Sequence, residues 1–154
     1  MQTGEFLEFT DRRMMEAQCQ TLAKRFNRAI VPGASDVLDA LRKELKEYFD
    51  GKRTKFSVPL EYPGTPFQTK VWDELLKIPY GKTISYEELA RRVGSSGAVR
   101  AVGTANGMNR IAIVIPCHRV VNKSGKLGGY GGGLRRKEAL LKLERGQKNL
   151  LLNF

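Results

Sequence analysis

The chain has 154 residues, 41% hydrophobic and 28% charged, with a net charge of +11, two cysteines and one histidine. It is long enough to bury a core as one domain or two small ones, and no run approaches the roughly 18 apolar residues of a membrane span. Two cysteines outside any Cys-x-x-Cys pair and a lone histidine exclude the familiar structural zinc patterns, the start carries no basic signal-peptide region, and a reducing, cytosolic setting is expected.

The charge divides the chain near residue 61. Residues 1–60 carry 11 Lys and Arg against 9 Asp and Glu, whereas residues 61–154 carry 16 against 7. A basic half of this size suits a polyanion such as DNA or RNA; a merely soluble basic surface is the alternative.

In the first part, Glu5 to Thr10 reads as a strand. Arg12 to Phe26 reads as a helix whose stripe of Met15, Cys19, Leu22 and Phe26 puts Cys19 in the core. Arg28 to Val31 is a short strand candidate ended by Pro32-Gly33. Asp36 to Phe49 is a second helix, with Val37, Leu38, Leu41, Leu45 and Tyr48 on one face and Gly51 as its stop. Lys55 to Leu60 reads as another strand. This layer shows no chemistry of its own and reads as a scaffold.

The second part opens at Tyr62-Pro63-Gly64. Thr65-Pro66-Phe67-Gln68 has the form of a capping box with Pro at the first helical position, and Phe67, Val71, Leu75 and Leu76 point inward. Ile84-Ser85-Tyr86-Glu87-Glu88-Leu89 repeats the signal, with Ser85 as N-cap, Glu88 as its box partner, and Ile84 and Leu89 spaced as a staple. A turn at Gly94-Ser95-Ser96-Gly97 leads to a second short helix, about Ala98 to Asn106, with Val99 and Val102 inward. The pair reads either as a DNA-binding helix-turn-helix or as an ordinary helical hairpin. Ala101, Gly103, Thr104 and Ala105 leave the second helix slim, with Arg100 its one long basic side chain. That favours close approach to a groove without strong base readout.

Ile111 to Ile115 is a β-branched apolar run that reads as a buried strand, which Pro116 ends. Cys117-His118 follows at the strand end. A thiol reacts as its thiolate, and a nearby imidazole is the usual way to form one near neutral pH. Adjacent side chains diverge, so a bend or a bridging water must link the two. On chemistry alone, a reactive thiol and an inert core cysteine remain equally open. The glycine-rich stretch Gly125 to Gly133 reads as a lid or close-approach loop, and Tyr130 within it can stack on a base. No Walker-type lysine and hydroxyl pair follows it. The last helix, Leu134 to Arg145, carries Glu144, either an orienter of the imidazole or a surface glutamate.

The segment Ile115-Pro116-Cys117-His118-Arg119-Val120 closely resembles the active-site motif of the O6-alkylguanine-DNA alkyltransferases. Ile84-Ser85-Tyr86, Arg100-Ala101-Val102-Gly103, Asn109 and Gly128 to Leu134 with Tyr130 support the resemblance, which covers roughly residues 61–145. Residues 1–60 resemble the family's variable N-terminal domain only loosely. The resemblance implies an α/β (α+β) fold: an N-terminal α/β scaffold domain over 1–60, then a mainly helical, winged-helix-like DNA-binding domain over 61–154 carrying the active cysteine. It implies single-turnover DNA repair, in which the alkyl group of O6-alkylguanine passes irreversibly to Cys117 after the nucleotide is flipped out; whether O4-alkylthymine is a second substrate is left open by the sequence.

By the same resemblance, His118 deprotonates the thiol through a water, Glu144 orients His118, and Asn109 fixes the cysteine loop. Tyr86 assists base rotation and offers its hydroxyl to the leaving guanine. Arg100 fills the gap in the duplex, and Tyr86, Ala101, Gly103 and Ser95 join it in contacting DNA. Tyr130, with the backbone of Val120 and Gly131, lines the base pocket; Gly131 departs from the serine some members carry. No cofactor and no metal are expected, because the N-terminal zinc ligands of some members are missing here. The implied partner is double-stranded DNA, met by a cytoplasmic, nucleoid-associated monomer (nuclear if eukaryotic) with no membrane association. Two other classes are open: a helix-turn-helix sensor or regulator with an unreactive Cys117, and a Cys-His hydrolase.

Overall fold

A computed structural model describes residues 7–11, 15–30 and 33–147. The chain folds into six helices among those residues: α1 (Met15–Phe26), α2 (Asp36–Phe49), α3 (Pro66–Leu76), α4 (Tyr86–Arg92), α5 (Val99–Gly107) and α6 (Leu134–Glu144). Two short strands, β1 (Ile84–Ser85) and β2 (Val120–Val121), pair in parallel with Ile84 opposite Val120 and Ser85 opposite Val121. The architecture is thus mixed and helix-rich, with little sheet. Among the described residues, no helix is long and apolar enough to cross a membrane.

Local chemistry accounts for the helix starts. Ser35 caps α2 by accepting from the amide of Leu38 at 3.1 Å. Thr65 and Gln68 form the reciprocal box at the start of α3, at 3.2 and 3.0 Å, with Pro66 behind them. Ser85 caps α4 by accepting from the Glu88 amide at 3.1 Å. Here the expected box is only half made. The Glu88 carboxylate turns outward to pair with Arg91 and Arg92 on its own helix.

The core gathers where α3, α4 and α5 meet. Val71, Trp72 and Leu75 of α3 pack with Leu89, Ala90, Val102 and Ala105. Trp72 is fully buried and donates its indole N–H to the Ala105 carbonyl at 2.9 Å, which ties α3 to α5. Leu76, expected inward, is 39% exposed at the last position of α3, where Val71, Trp72 and Leu75 form the buried face. In α1 only Leu22 is buried; Cys19 is half-buried rather than in the core. Residues 12–14 of the expected first helix, and parts of the Glu5–Thr10 and Arg28–Val31 strands, lie outside the described residues. Leu7 makes a single parallel bridge to Ile111, and residues 28–30 form no strand.

Two expected strands are absent for identifiable reasons. Residues 55–60 run without a sheet partner because Glu44 takes the Ser57 amide at 2.9 Å and its hydroxyl as well. Residues 111–115 are fully buried but coiled. Ile115 donates to the Ile111 carbonyl at 2.9 Å and Val114 to the Ala112 carbonyl at 2.8 Å. Ile113 adopts φ +71°, a costly conformation for a β-branched residue that persists only where the surroundings over-determine it. The Asn109 side chain supplies that constraint. It donates to the Ile115 carbonyl at 2.7 Å and accepts from the Ile111 amide at 3.0 Å, closing the segment on itself.

Candidate active site

The coil ends in a single 3-10 turn, Cys117–Arg119, buried at all three residues. The Asn109 amide that holds the coil also donates to Cys117 Sγ at 3.0 Å. Asn106, from the buried side of α5, donates to the Cys117 carbonyl at 3.4 Å. The helix that follows the Gly94 turn therefore holds the backbone of the cysteine from behind.

His118 is fully buried, and its Nε2 meets Glu144 Oε1 at 2.8 Å. The carboxylate is the hub of the site. Oε1 also accepts from the Tyr48 hydroxyl at 2.7 Å and Arg119 Nη2 at 2.9 Å, and Oε2 accepts from Arg119 Nε at 2.9 Å and the Gly81 amide at 3.0 Å. Arg119 is anchored in turn by donating to the Ile78 carbonyl at 2.7 Å. Burial opposes ionisation of Glu144, but the hydrogen bonds from His118 and Arg119 outweigh it and hold its pKa down at about 2. Burial is also the main influence on His118 and pulls its pKa down, against the attraction of Glu144. A neutral imidazole beside an ionised carboxylate carries its proton on Nε2. Nδ1, buried and without a hydrogen-bond partner among the described residues, is then the basic nitrogen.

Tyr86, the first residue of α4, faces the same region. Its hydroxyl lies 3.4 Å from the Gly129 carbonyl. A side chain on Gly128 would strike the Tyr86 ring 2.6 Å away, so only glycine lets the loop pass this closely. Lys137 of α6 is wholly buried beneath it, 3.3 Å from the Gly128 carbonyl, 3.5 Å from the Tyr86 hydroxyl and 5.7 Å from the ring centroid. Burial lowers the Lys137 pKa to about 8, with the Cys117 charge acting to raise it; burial and the Cys117 charge both raise that of Tyr86. A cation and a phenol that stays protonated thus share the thiol's surroundings.

Two openings meet here. A narrow cleft of about 10 Å³ is lined by Cys117, Asn106, Tyr130 and Gly131, among others. A wide groove of about 560 Å³ runs past Tyr86, Arg100, Gly103, Tyr130 and Gly131, so the exposed arginine and the glycine-rich loop flank one surface. The structure therefore brings together Cys117, His118, Asn109 and Glu144, and separately Tyr86, Arg100, Gly103, Tyr130 and Gly131. Three expected residues stand apart. Ala101 is exposed on α5 but lines neither opening, and Ser95 lies in the turn before α5. Val120 is fully buried in β2 and lines neither opening.

Sequence reasoning passed over Tyr48, Arg119, Lys137, Gly81 and Asn106. Arg119 stood inside the Cys-His-Arg motif. Lys137 lies seven positions before Glu144, on the same helical face, which would have marked it. Tyr48 reaches Glu144 across 96 positions of sequence, and nothing local announces it.

The hub makes stability depend on acid. The Glu144 pKa falls from its usual 4.5 in the unfolded chain to about 2, so its contribution is complete above about pH 4.5 and is lost as pH drops towards 2. The His118 pKa is also lowered by folding, so its contribution is complete above its usual 6.5 and declines as pH falls below that. Both act in one direction. Urea unfolding is expected to show a steady loss from about pH 7 to about pH 3, with Glu144 accounting for about 2 kcal/mol over that span.

Two short helices joined by a turn stand in front of a buried thiol held by Asn109, and similarity to known proteins defines the family. Residues 66–146 match the profile of the 6-O-methylguanine DNA methyltransferase DNA-binding domain. The methylated-DNA–protein-cysteine methyltransferase of Mycobacterium tuberculosis is 59% identical over 102 residues, which are 66% of this chain and 62% of that protein. The inducible Bacillus subtilis protein of the same name is 47% identical over 122 residues, 79% of this chain and 68% of that one. In three dimensions, the crystal structure of Mycobacterium tuberculosis OGT in complex with DNA superposes with a TM-score of 0.77 at 45% identity, covering 93% of this chain and 81% of that one. The chain belongs to the 6-O-methylguanine-DNA methyltransferase family. The matched region spans about 62% of the length of the mycobacterial relative.

Proposed function

We propose that this protein repairs DNA by direct reversal, taking the alkyl group of O6-alkylguanine onto Cys117 in one irreversible turnover. The observation that carries the reading is the committed imidazole. With Nε2 bound to an ionised Glu144, the Nδ1 of His118 is free to act as base for the adjacent thiol. Side chains diverge along the 3-10 turn, so the proton passes from Sγ to Nδ1 through a water. The nearby Lys137 cation and the Asn109 amide favour the thiolate. Sulfur then attacks the alkyl carbon, the carbon–oxygen bond breaks, and its electron pair leaves with guanine. The Tyr86 hydroxyl hydrogen-bonds the departing base. The product is a thioether, which water does not hydrolyse as it would an acyl-enzyme, so the protein is consumed.

Double-stranded DNA is the partner in this reading, bound by a monomer in the cytoplasm. Residues 61–154 form a winged-helix-like unit that meets the duplex, and residues 1–60 form a scaffold that braces Glu144 through Tyr48. The target carbon lies inside a stacked duplex, so the nucleotide is extruded into the cleft beside Tyr130 and Gly131, at a cost of a few kcal/mol. Arg100, exposed at the mouth of the groove, fills the vacated space. The test is a duplex carrying one O6-methylguanine. Repair restores guanine in an unbroken strand, whereas a strand break, a free base or an untouched lesion would refute direct reversal.

Arg100→Ala separates extrusion from chemistry. One lost charge changes the salt dependence of duplex binding by about one contact at most. Repair of duplex lesions is expected to slow by at least about tenfold, while the free base O6-benzylguanine, which needs no flipping, reacts at nearly the wild-type rate. Comparing alkylation rates on the two substrates checks this. Equal loss on both would place Arg100 in the chemical step or in the fold.

A further inference from the structure

The short segment 7–11 has no part in the reading above, yet it touches the site at both ends. At one end, the Ala112 amide donates to the Leu7 carbonyl at 2.9 Å, within the coil that leads to Cys117. At the other end, the Phe9 ring packs edge-on against Tyr130, with centroids 5.9 Å apart and planes at 71°. The ring fills space that only a glycine leaves open, because a side chain on Gly132 would lie 2.4 Å from it. Between these ends, Glu8 lines the same cleft as Cys117 and Tyr130.

Arg136 of α6 locks this strap. Its guanidinium stands 4.7 Å from the centroid of Phe9, pairs with Asp11 at 2.6 Å and donates to the Gly132 carbonyl at 3.2 Å. One side chain therefore joins the ring, the outer carboxylate and the glycine-rich loop. A cation over an aromatic face is attracted by the ring, and the paired contacts add to that attraction. The loop that walls the cleft is thereby held from outside by Phe9, more than a hundred positions away in sequence.

We propose that Phe9, clamped by Arg136 and Asp11, is a specificity-determining residue that limits the size of the alkyl group admitted to Cys117. The inference rests on the alkyl-transfer reading. A methyl group fits beneath Tyr130 with the strap in place. A larger, aromatic alkyl group requires Tyr130 and the loop to move outward, against Phe9. Changes of this kind in an apolar pocket typically shift discrimination by tenfold or more.

The experiment compares second-order alkylation rates for O6-methylguanine and O6-benzylguanine placed in the same duplex, for the wild type, Phe9→Ala and Asp11→Asn. The benzyl-to-methyl ratio is expected to rise about tenfold in Phe9→Ala, and by a smaller factor in Asp11→Asn, which loosens the clamp from its exposed end. A purely structural role would lower both rates together and leave the ratio unchanged, and that result in both variants overturns the proposal. Phe9→Leu reads the same ratio if the alanine variant does not fold. A wild-type protein that gains no alkyl group from either substrate would instead refute the alkyl-transfer reading itself, and this inference with it.

Discussion

Replacing Glu144 with glutamine is expected to destabilise the protein by about 3–5 kcal/mol and to slow alkylation of Cys117 by at least about a hundredfold. The substitution keeps the shape and removes the charge. Arg119, only 8% exposed in its side chain, is left as a buried cation without its counter-ion. Breaking such a pair from one side costs more than the pair contributes, because the surviving charge stays desolvated. The new amide also brings two donors to a position that now receives hydrogen bonds from Tyr48, His118, Arg119 and Gly81. The kinetic loss has a separate origin. Without an ionised partner, Nε2 is no longer held as the protonated nitrogen, and Nδ1 ceases to be the dependable base. Tyr48→Phe is the control, since it removes one hydrogen bond to the carboxylate and is expected to cost only about 1.5–3 kcal/mol. Urea unfolding and single-turnover alkylation, measured on both variants, check the pair of effects. A Glu144→Gln protein as stable as Tyr48→Phe would contradict the hub.

The largest kinetic effect is expected from Cys117→Ala, which removes the acceptor and should abolish transfer while the fold survives. The geometry explains the survival. Asn109 loses the sulfur at 3.0 Å but keeps its bonds to the Ile115 carbonyl and the Ile111 amide, so the coil that positions the turn stays closed. The variant is expected to bind lesion-bearing duplex without consuming it, as an electrophoretic shift assay with recovery of intact O6-methylguanine would show. Residual transfer above a few per cent would mean that another group accepts the alkyl chain. Cys19 is the one other thiol, and being half-buried in α1 rather than sealed in the core, it is the position to inspect.

The features that could be read from sequence are those encoded within a few residues. The Thr65–Gln68 box depends on a spacing of three, and so does the Ser85 cap. The Cys117-His118 pair and the small residues of α5 are local facts as well. What could not be read is set by side chains arriving from a distance. Ile111 to Ile115 has the composition of a strand, but the Asn109 amide closes it into a coil and leaves Ile113 in an unfavourable conformation. Residues 55–60 lack a partner strand because Glu44 claims the Ser57 amide. Tyr48 looked like one more apolar-face residue of α2, yet its hydroxyl completes the shell of Glu144. Glu144 itself had two open readings, a surface residue or an orienter. Its burial, and the arginine that shares it, exclude the first.

Intact mass measurement after reaction with a molar excess of O6-methylguanine duplex, followed by peptide mapping, tests the central claim most directly. The account predicts a single added methyl group per protein molecule, located on the peptide that holds Cys117, with guanine restored in an amount equal to the protein and no further turnover. An unmodified Cys117, a methyl group on Cys19 in comparable yield, or guanine released beyond one equivalent would contradict it.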